Sequence, residues 1–432
     1  MIKRLIYLCV LTSLIGASTI SLDLGFFQLS IFRGLIISIA FFIALEMLIT
    51  NRAFPLKLGR ENRYSFIFIA IWLLYAVFTL GWVKDYNSWL KSIYFIGLGF
   101  LCIIVFAKYL KTSFDVLTVF RLVAFMAVFH NLLGWYEINT GNYLFLSAER
   151  ILAYSRYSLP VSVFGNTNDF ATFMLFSVFI TYICAINTRS FILKLIFVIT
   201  TISSVMLLIT TGSRANILGL ILASIVFVYL SMHNRRTRRT LIILLICGFA
   251  AVLIYPQALS NIFIMIDEKL YFRFAARVGS DAVRINLIKN GLLFLMDTFG
   301  FGTGAGNVEY WMANYGVYYT GRIENMHNWW MEILVSYGLV IFIMYTLFYY
   351  KLFLSVYRRF KYSLDRIDTS ISLGIMCCMV GYTLGSVSSS SNINSEWLWV
   401  FWAIAIAYQG IGFEFSKGSM KPVIIYNDHV KE

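Results

Sequence analysis

Runs of about twenty apolar residues recur along this sequence from one end to the other, and a run of that length is what one helix needs to cross a bilayer. Inside hydrocarbon every backbone N–H and C=O has to be satisfied within the segment, so such runs are restricted to helices or closed barrels. Continuous apolar runs, rather than alternating ones, select helices. The expected fold class is an all-α polytopic membrane protein with about twelve spans, at 5–20, 29–50, 64–83, 89–108, 117–136, 167–187, 191–211, 215–232, 240–256, 328–350, 370–388 and 395–413. Composition agrees: the 432 residues are 60% hydrophobic and only 13% charged, about half the charged fraction of a soluble domain.

The net charge of +14 invites a nucleic-acid reading, but its distribution excludes one. The strongly basic segments fall in alternate loops: Lys3-Arg4, 52–63, Lys108 with Lys111, Arg189 with Lys194, Arg235 to Arg239, 351–366 and the tail. Segments 21–28, 210–214 and 388–395 are poor in charge. That is the positive-inside pattern, which orients helices and puts both termini in the cytoplasm. The N-terminal run resembles a signal peptide but has no convincing cleavage site, so it reads as a retained first helix. All six cysteines lie in apolar runs and the four histidines form no HExxH-type cluster, so neither a disulfide nor a metal site is expected.

The domain organisation follows: residues 1–256 as helices one to nine, 257–327 as an extracytoplasmic loop with short amphipathic helices, 328–413 as helices ten to twelve, and 414–432 as a cytoplasmic tail. Within the long loop, 261–278 reads as a surface helix and Ser280 as the cap of a second one from Asp281 to about Asp297. Arg273 and Arg277 share a face of the first.

Ionisable residues in apolar runs each need a reason. Arg33 could snorkel, Arg121 reads as an anchor at the inner interface, and His130 reads as a hydrogen-bonded structural histidine. Glu396, beside Trp397 and Trp399, reads as interfacial, and Glu332 could pair with an arginine. Asp169 opens the sixth span, where capping and dipole favour an acid irrespective of function. Arg214, in Thr211-Gly212-Ser213-Arg214-Ala215-Asn216, lies on the face poor in positive charge. Its planar fork suits phosphate oxygens, and the alternative is a snorkelling interfacial arginine. His327 at the entry to the tenth span could accept a proton from a sugar hydroxyl, or could cap the helix with Asn328 or Asn325. The run Gly300-Phe301-Gly302-Thr303-Gly304-Ala305-Gly306-Asn307 has no dinucleotide-binding spacing. It suits a tight turn, a close backbone approach to a ligand, or a flexible link.

Taken in order, several of these segments resemble the O-antigen ligase and polymerase superfamily, whose members include capsule and teichuronic-acid polymerases. They are Thr211 to Asn216 opening a helix, Arg284 followed by the glycine run, and His327-Asn328 followed after nine residues by Gly338. Phe164-Gly165-Asn166-Thr167-Asn168-Asp169 is similar to the polymerases of that group, whereas Ile341 departs from the ligase pattern. The resemblance implies about twelve spans, a GT-C-like arrangement and a long outward loop late in the chain. It further implies a glycan donor on undecaprenyl diphosphate at the outer face of a bacterial cytoplasmic membrane, within capsule, exopolysaccharide or other cell-envelope biogenesis. The activity implied is a metal-independent glycosyltransferase without cofactor, with His327, Arg284 and Arg214 catalytic and Arg273, Arg277, Asn328, Asp169 and Glu332 contacting substrate. Membrane lipid, a flippase and a chain-length regulator of the same pathway are the implied partners, and no nucleic acid. A polymerase is expected before a ligase that transfers to a final acceptor. A transporter or flippase is the reading from another class, but it would place ionisable groups near the midplane of two related halves, and no such symmetry is visible.

Overall fold

A computed structural model describes residues 2–16, 19–23, 28–50, 62–145, 159–232, 280–389 and 392–412. In chain order the helices are α1 (Ile2–Ser13), α2 (Ile31–Thr50), α3 (Arg63–Phe78), α4 (Tyr86–Tyr109), α5 (Ser113–Thr140), α6 (Thr167–Ile186), α7 (Phe191–Thr210) and α8 (Arg214–Ser231). They continue with α9 (Ser280–Asp297), α10 (Val308–Tyr315), α11 (Trp329–Tyr362), α12 (Arg366–Gly385) and α13 (Glu396–Gly410). Among the described residues, nine helices are long and apolar enough to cross a membrane: α2 to α8, α11 and α12, with α3 extended by a 3-10 turn to Gly81. The protein is therefore helical and polytopic. The expected span 240–256, the surface helix 261–278 with Arg273 and Arg277, and Cys247 lie outside the described residues.

The caps explain the helix ends. Asp85 accepts from the amides of Asn87 and Ser88 to start α4. Thr112 and Asp115 form a reciprocal capping box at α5, which ends on Gly141 in the left-handed region. Asn166 caps α6 and Ser190 caps α7. The main core is one cluster drawn from α1 to α8 and α11 to α13, with α6 and α13 buried nearly all round. Helix α6 packs on α7, α8 on α12, and α4 on α13. Small residues allow the close contacts: a Cβ on Gly219 would stand 2.5 Å from the Gly381 carbonyl oxygen.

Several expectations are corrected. The first helix stops at Ser13, well short of residue 20, and its 12 residues rise only about 18 Å. The charge-poor stretch after it is a two-stranded antiparallel ribbon, β1 (Ser21–Asp23) on β2 (Gln28–Ser30), which sequence periodicity is too short to reveal. Arg33 does not snorkel, and Glu396 is not interfacial: both are buried, and Arg33 Nε lies 2.6 Å from Glu396 Oε1. Ser30 Oγ donates to the same carboxylate oxygen at 2.7 Å, and the guanidinium also bonds the Gln28 carbonyl. Each charge is tolerated because the other neutralises it. Arg359 and Asp368 form a comparable buried pair at 2.7 Å, tying α11 to α12, with Ser113 bonded to both. The fifth span does not end at residue 136: α5 continues to Thr140, with Glu137 inside it and 2% exposed.

The largest difference concerns the expected tenth span, 328–350. Helix α11 is interrupted at Gly338, with φ 76° and ψ 179°. The indole N–H of Trp329 nevertheless donates to the Tyr345 hydroxyl at 2.9 Å, and the Trp330 ring lies 5.4 Å from that of Tyr349. On an unbroken helix residues 330 and 349 would be about 28 Å apart. The chain therefore turns back at Gly338, so residues 329–337 form a half-helix lying against the first turns of the long arm.

Candidate functional site

The glycine run makes this reversal possible. Gly300, Gly302, Gly304 and Gly306 all have positive φ, between 70° and 95°. The run approaches backbone closely, as its spacing allowed, but the partner is the chain's own break. Thr303 N donates to Val335 O at 2.8 Å, Gly304 N to Ser336 O at 3.0 Å, and Leu339 N to Gly300 O at 2.9 Å. A Cβ on Gly302 would lie 2.6 Å from Gly338 N, and one on Gly338 would lie 2.6 Å from the carbonyl carbon of Phe301. The other side of the run is held by the turn between α3 and α4. Tyr75 Oη donates to Phe301 O at 2.6 Å, Trp82 Nε1 to Gly302 O at 2.9 Å, and the amides of Lys84 and Asp85 donate to Asn307 Oδ1. The flexible-link reading is thereby excluded.

The half-helix and α9 share a second, smaller core: Leu287 and Phe294 of α9, Val308 and Met312 of α10, and Met326 and Val335. Asn290 reinforces it, accepting from the amides of Val317 and Tyr318 and donating to the Tyr318 carbonyl. Three residues before Leu287 stands Arg284; one residue after Met326 stands His327. Packing these neighbours together brings the guanidinium to bear on the imidazole. Burial first, and the Arg284 charge second, hold the His327 pKa below its ordinary value, favouring a neutral ring.

His327 itself has φ 46°, uncommon for a residue with a side chain. Its amide donates to Asn325 Oδ1 at 2.8 Å, and the half-helix is capped by Asn328, whose Oδ1 accepts from Met331 N at 3.3 Å. The capping role open to His327 therefore falls to Asn328. Glu332 lies in the first turn.

Arg214 is the first residue of α8, where Ser213 makes no side-chain capping bond. Asn216, two residues on and fully buried, reaches the Asn168 carbonyl at 3.3 Å and Ser388 Oγ at 3.4 Å. Asp169 stands in the first turn of α6 beside that carbonyl. The segment after α12 joins the two halves of the site: Ser386 O accepts from Trp329 N at 3.0 Å, while Ser213 Oγ lies 3.3 Å from Ser388 Oγ. Asp169 and Glu332 both act electrostatically on the buried Tyr382 of α12. Thus the N-termini of α6, α8 and α11 gather around residues 385–389, bringing Arg214, Asp169, His327, Asn328 and Glu332 to one end of the bundle with Arg284 beside His327. Sequence reasoning named the charged members but missed Asn216 and Asn307 as bracing groups, although both end quoted motifs. It had no signal for Ser386 or Tyr382.

Among the described residues no group of three His, Cys, Asp or Glu side chains is placed to hold a metal ion. The cations at this end instead belong to fork-shaped guanidiniums on separate elements, a donor type suited to phosphate oxygens.

A multi-pass helical membrane protein with this arrangement matches the O-antigen ligase family domain over residues 196–346, a stretch containing Arg214, Arg284, the glycine run, His327 and Gly338. The chain is thus similar to the O-antigen ligase and polymerase superfamily. It is 29% identical over 405 residues to the teichuronic acid biosynthesis protein TuaE of Bacillus subtilis (strain 168), covering 93% of this chain and 83% of that protein.

Proposed function

We propose that the protein is a metal-independent membrane glycosyltransferase that joins polyprenyl-diphosphate-linked oligosaccharide repeat units during surface polysaccharide synthesis. Similarity to that superfamily supports the broad polymerase or ligase role. The observation that carries the finer reading is the convergence of Arg284 and His327, 43 residues apart in sequence, at the end of the bundle where Arg214 opens α8.

In this reading the donor is undecaprenyl diphosphate carrying the glycan, presented at the outer face. A sugar hydroxyl of the acceptor attacks the anomeric carbon while the bond to the diphosphate breaks. Arg214 and Arg284, with Arg273 or Arg277, neutralise the charge developing on that leaving group. His327, neutral at physiological pH, takes the hydroxyl proton as the new bond forms. Asn328, Asp169 and Glu332 contact the sugars. The loop 257–327 faces outward and both termini face the cytoplasm. Similarity along nearly the whole chain to a teichuronic acid biosynthesis protein favours transfer onto another lipid-linked repeat unit. The family description favours transfer to a final acceptor as the alternative.

Purified protein supplied with a synthetic lipid-linked repeat unit, in the presence of chelator, should release undecaprenyl diphosphate and lengthen the glycan. Release without lengthening, restored by a non-lipid acceptor, would reassign the protein as a ligase. No release with either acceptor would end the proposal.

A further inference from the structure

Three groups near the start of α6 form a clamp that the reaction above does not use. Glu137 and His130 lie seven residues apart on α5, two turns along the same face. Both are buried, 2% and 0% exposed. One carboxylate oxygen of Glu137 accepts from the amides of both Val161 and Ser162, each at 2.8 Å. Ser162 stands in the left-handed region, with φ 51°, and its Oγ lies 2.8 Å from His130 Nδ1. The Phe164 ring then packs on His130 and Phe173, at 5.2 and 5.3 Å between centroids. Two residues later Asn166 caps α6, and the first turn carries Asn168, bonded to Asn216, and Asp169.

A carboxylate this deep is costly unless something needs it. It accepts hydrogen bonds from the backbone of the strap 161–164, which leads directly into the start of α6. We propose that Glu137, through Ser162 and His130, is a positioning residue that fixes where α6 begins and so where Asp169 stands opposite Arg214. The inference rests on the glycosyltransferase reading, since it assigns Glu137 an effect on turnover exerted through Asp169.

The two ideas are separated by measuring the wild type first: absence of turnover there removes the functional reading, whereas the clamp is then decided by hydrogen exchange alone. In nanodiscs, Glu137→Ala should raise exchange at residues 161–169 at least tenfold, and Glu137→Gln, whose amide oxygen accepts the same two N–H groups, should largely restore protection. In an active protein Glu137→Ala should lower kcat about tenfold with a smaller change in KM, and Glu137→Gln should stay within about threefold of wild type. In an Asp169→Asn background the loss from Glu137→Ala should largely disappear. Unchanged exchange, or an equal loss of turnover in both backgrounds, would overturn the proposal. Should the alanine variant not fold, Ser162→Ala provides the same comparison from the other end of the clamp.

Discussion

The Trp329 indole donates to the Tyr345 hydroxyl at 2.9 Å, although an intact helix would separate these residues by about 24 Å. This bond closes the reversal at Gly338 that lays the half-helix, with His327 and Asn328 at its head, against the bundle. Gly338→Ala should disrupt the site, because a backbone at φ 76° and ψ 179° is essentially reserved to glycine and costs a side-chain-bearing residue about 1–3 kcal/mol even before the clash with Phe301. The expected outcome is a lower unfolding temperature and loss of turnover. Tyr345→Phe, which leaves the Trp329 N–H buried without an acceptor, should lose about 1–3 kcal/mol.

Arg33 and Glu396 should behave as a coupled pair. Removing one partner of a buried ion pair typically costs about 3–5 kcal/mol, because the survivor is left uncompensated. Arg33→Met and Glu396→Leu should each destabilise the protein strongly. The double variant should be more stable than either single one in detergent unfolding. Additive losses would show that the pair does not hold the ribbon to α13.

The pH dependence of turnover should report His327. Its pKa is depressed by burial and by Arg284, so the neutral base persists below pH 6.5, and the acid limb of the rate profile should lie below that value. Arg284→Ala removes a charge that disfavours the imidazolium, so the limb should move to higher pH. The stability linkage has the same sign. The unfolded chain binds the proton more readily than the folded one, so this residue's contribution to stability falls as pH drops through about 6.5.

Substitution at His327 separates proton transfer from structure. General-base catalysis is typically worth about 10²–10⁴-fold, so His327→Ala should insert normally but lose turnover on that scale. His327→Gln should be equally impaired, since Asn328 already caps the half-helix. Near-normal turnover by the glutamine variant would remove the base assignment. Arg284→Lys keeps the charge but loses the fork, and should be impaired about tenfold rather than silent.

Topology is open to direct labelling. A single cysteine at residue 290 should react with an impermeant reagent in intact cells, and one at residue 236 should react only after permeabilisation. The opposite pattern would invert the orientation read from loop charge.

Much of this protein was legible in its sequence, because a bilayer imposes a one-dimensional rule. Apolar length decides which segments become helices, so the positions of α2 to α8 and α12 follow within a few residues. Ser, Thr, Asp and Asn before those runs mark several of the starts. Arg214 stood out as a charge on the face poor in positive residues, His327 as the histidine at the entry to the tenth apolar run, and Arg284 through the motif resemblance. Tertiary structure decided what hydropathy cannot encode. That Arg33 meets Glu396, 363 residues away, depends on α2 and α13 both packing against α4. That the tenth apolar run folds back depends on a glycine whose conformation is fixed by hydrogen bonds from another loop. That His327 lies beside Arg284 depends on a small core shared by α9, α10 and the half-helix. Each is a contact between surfaces that only a completed bundle brings face to face.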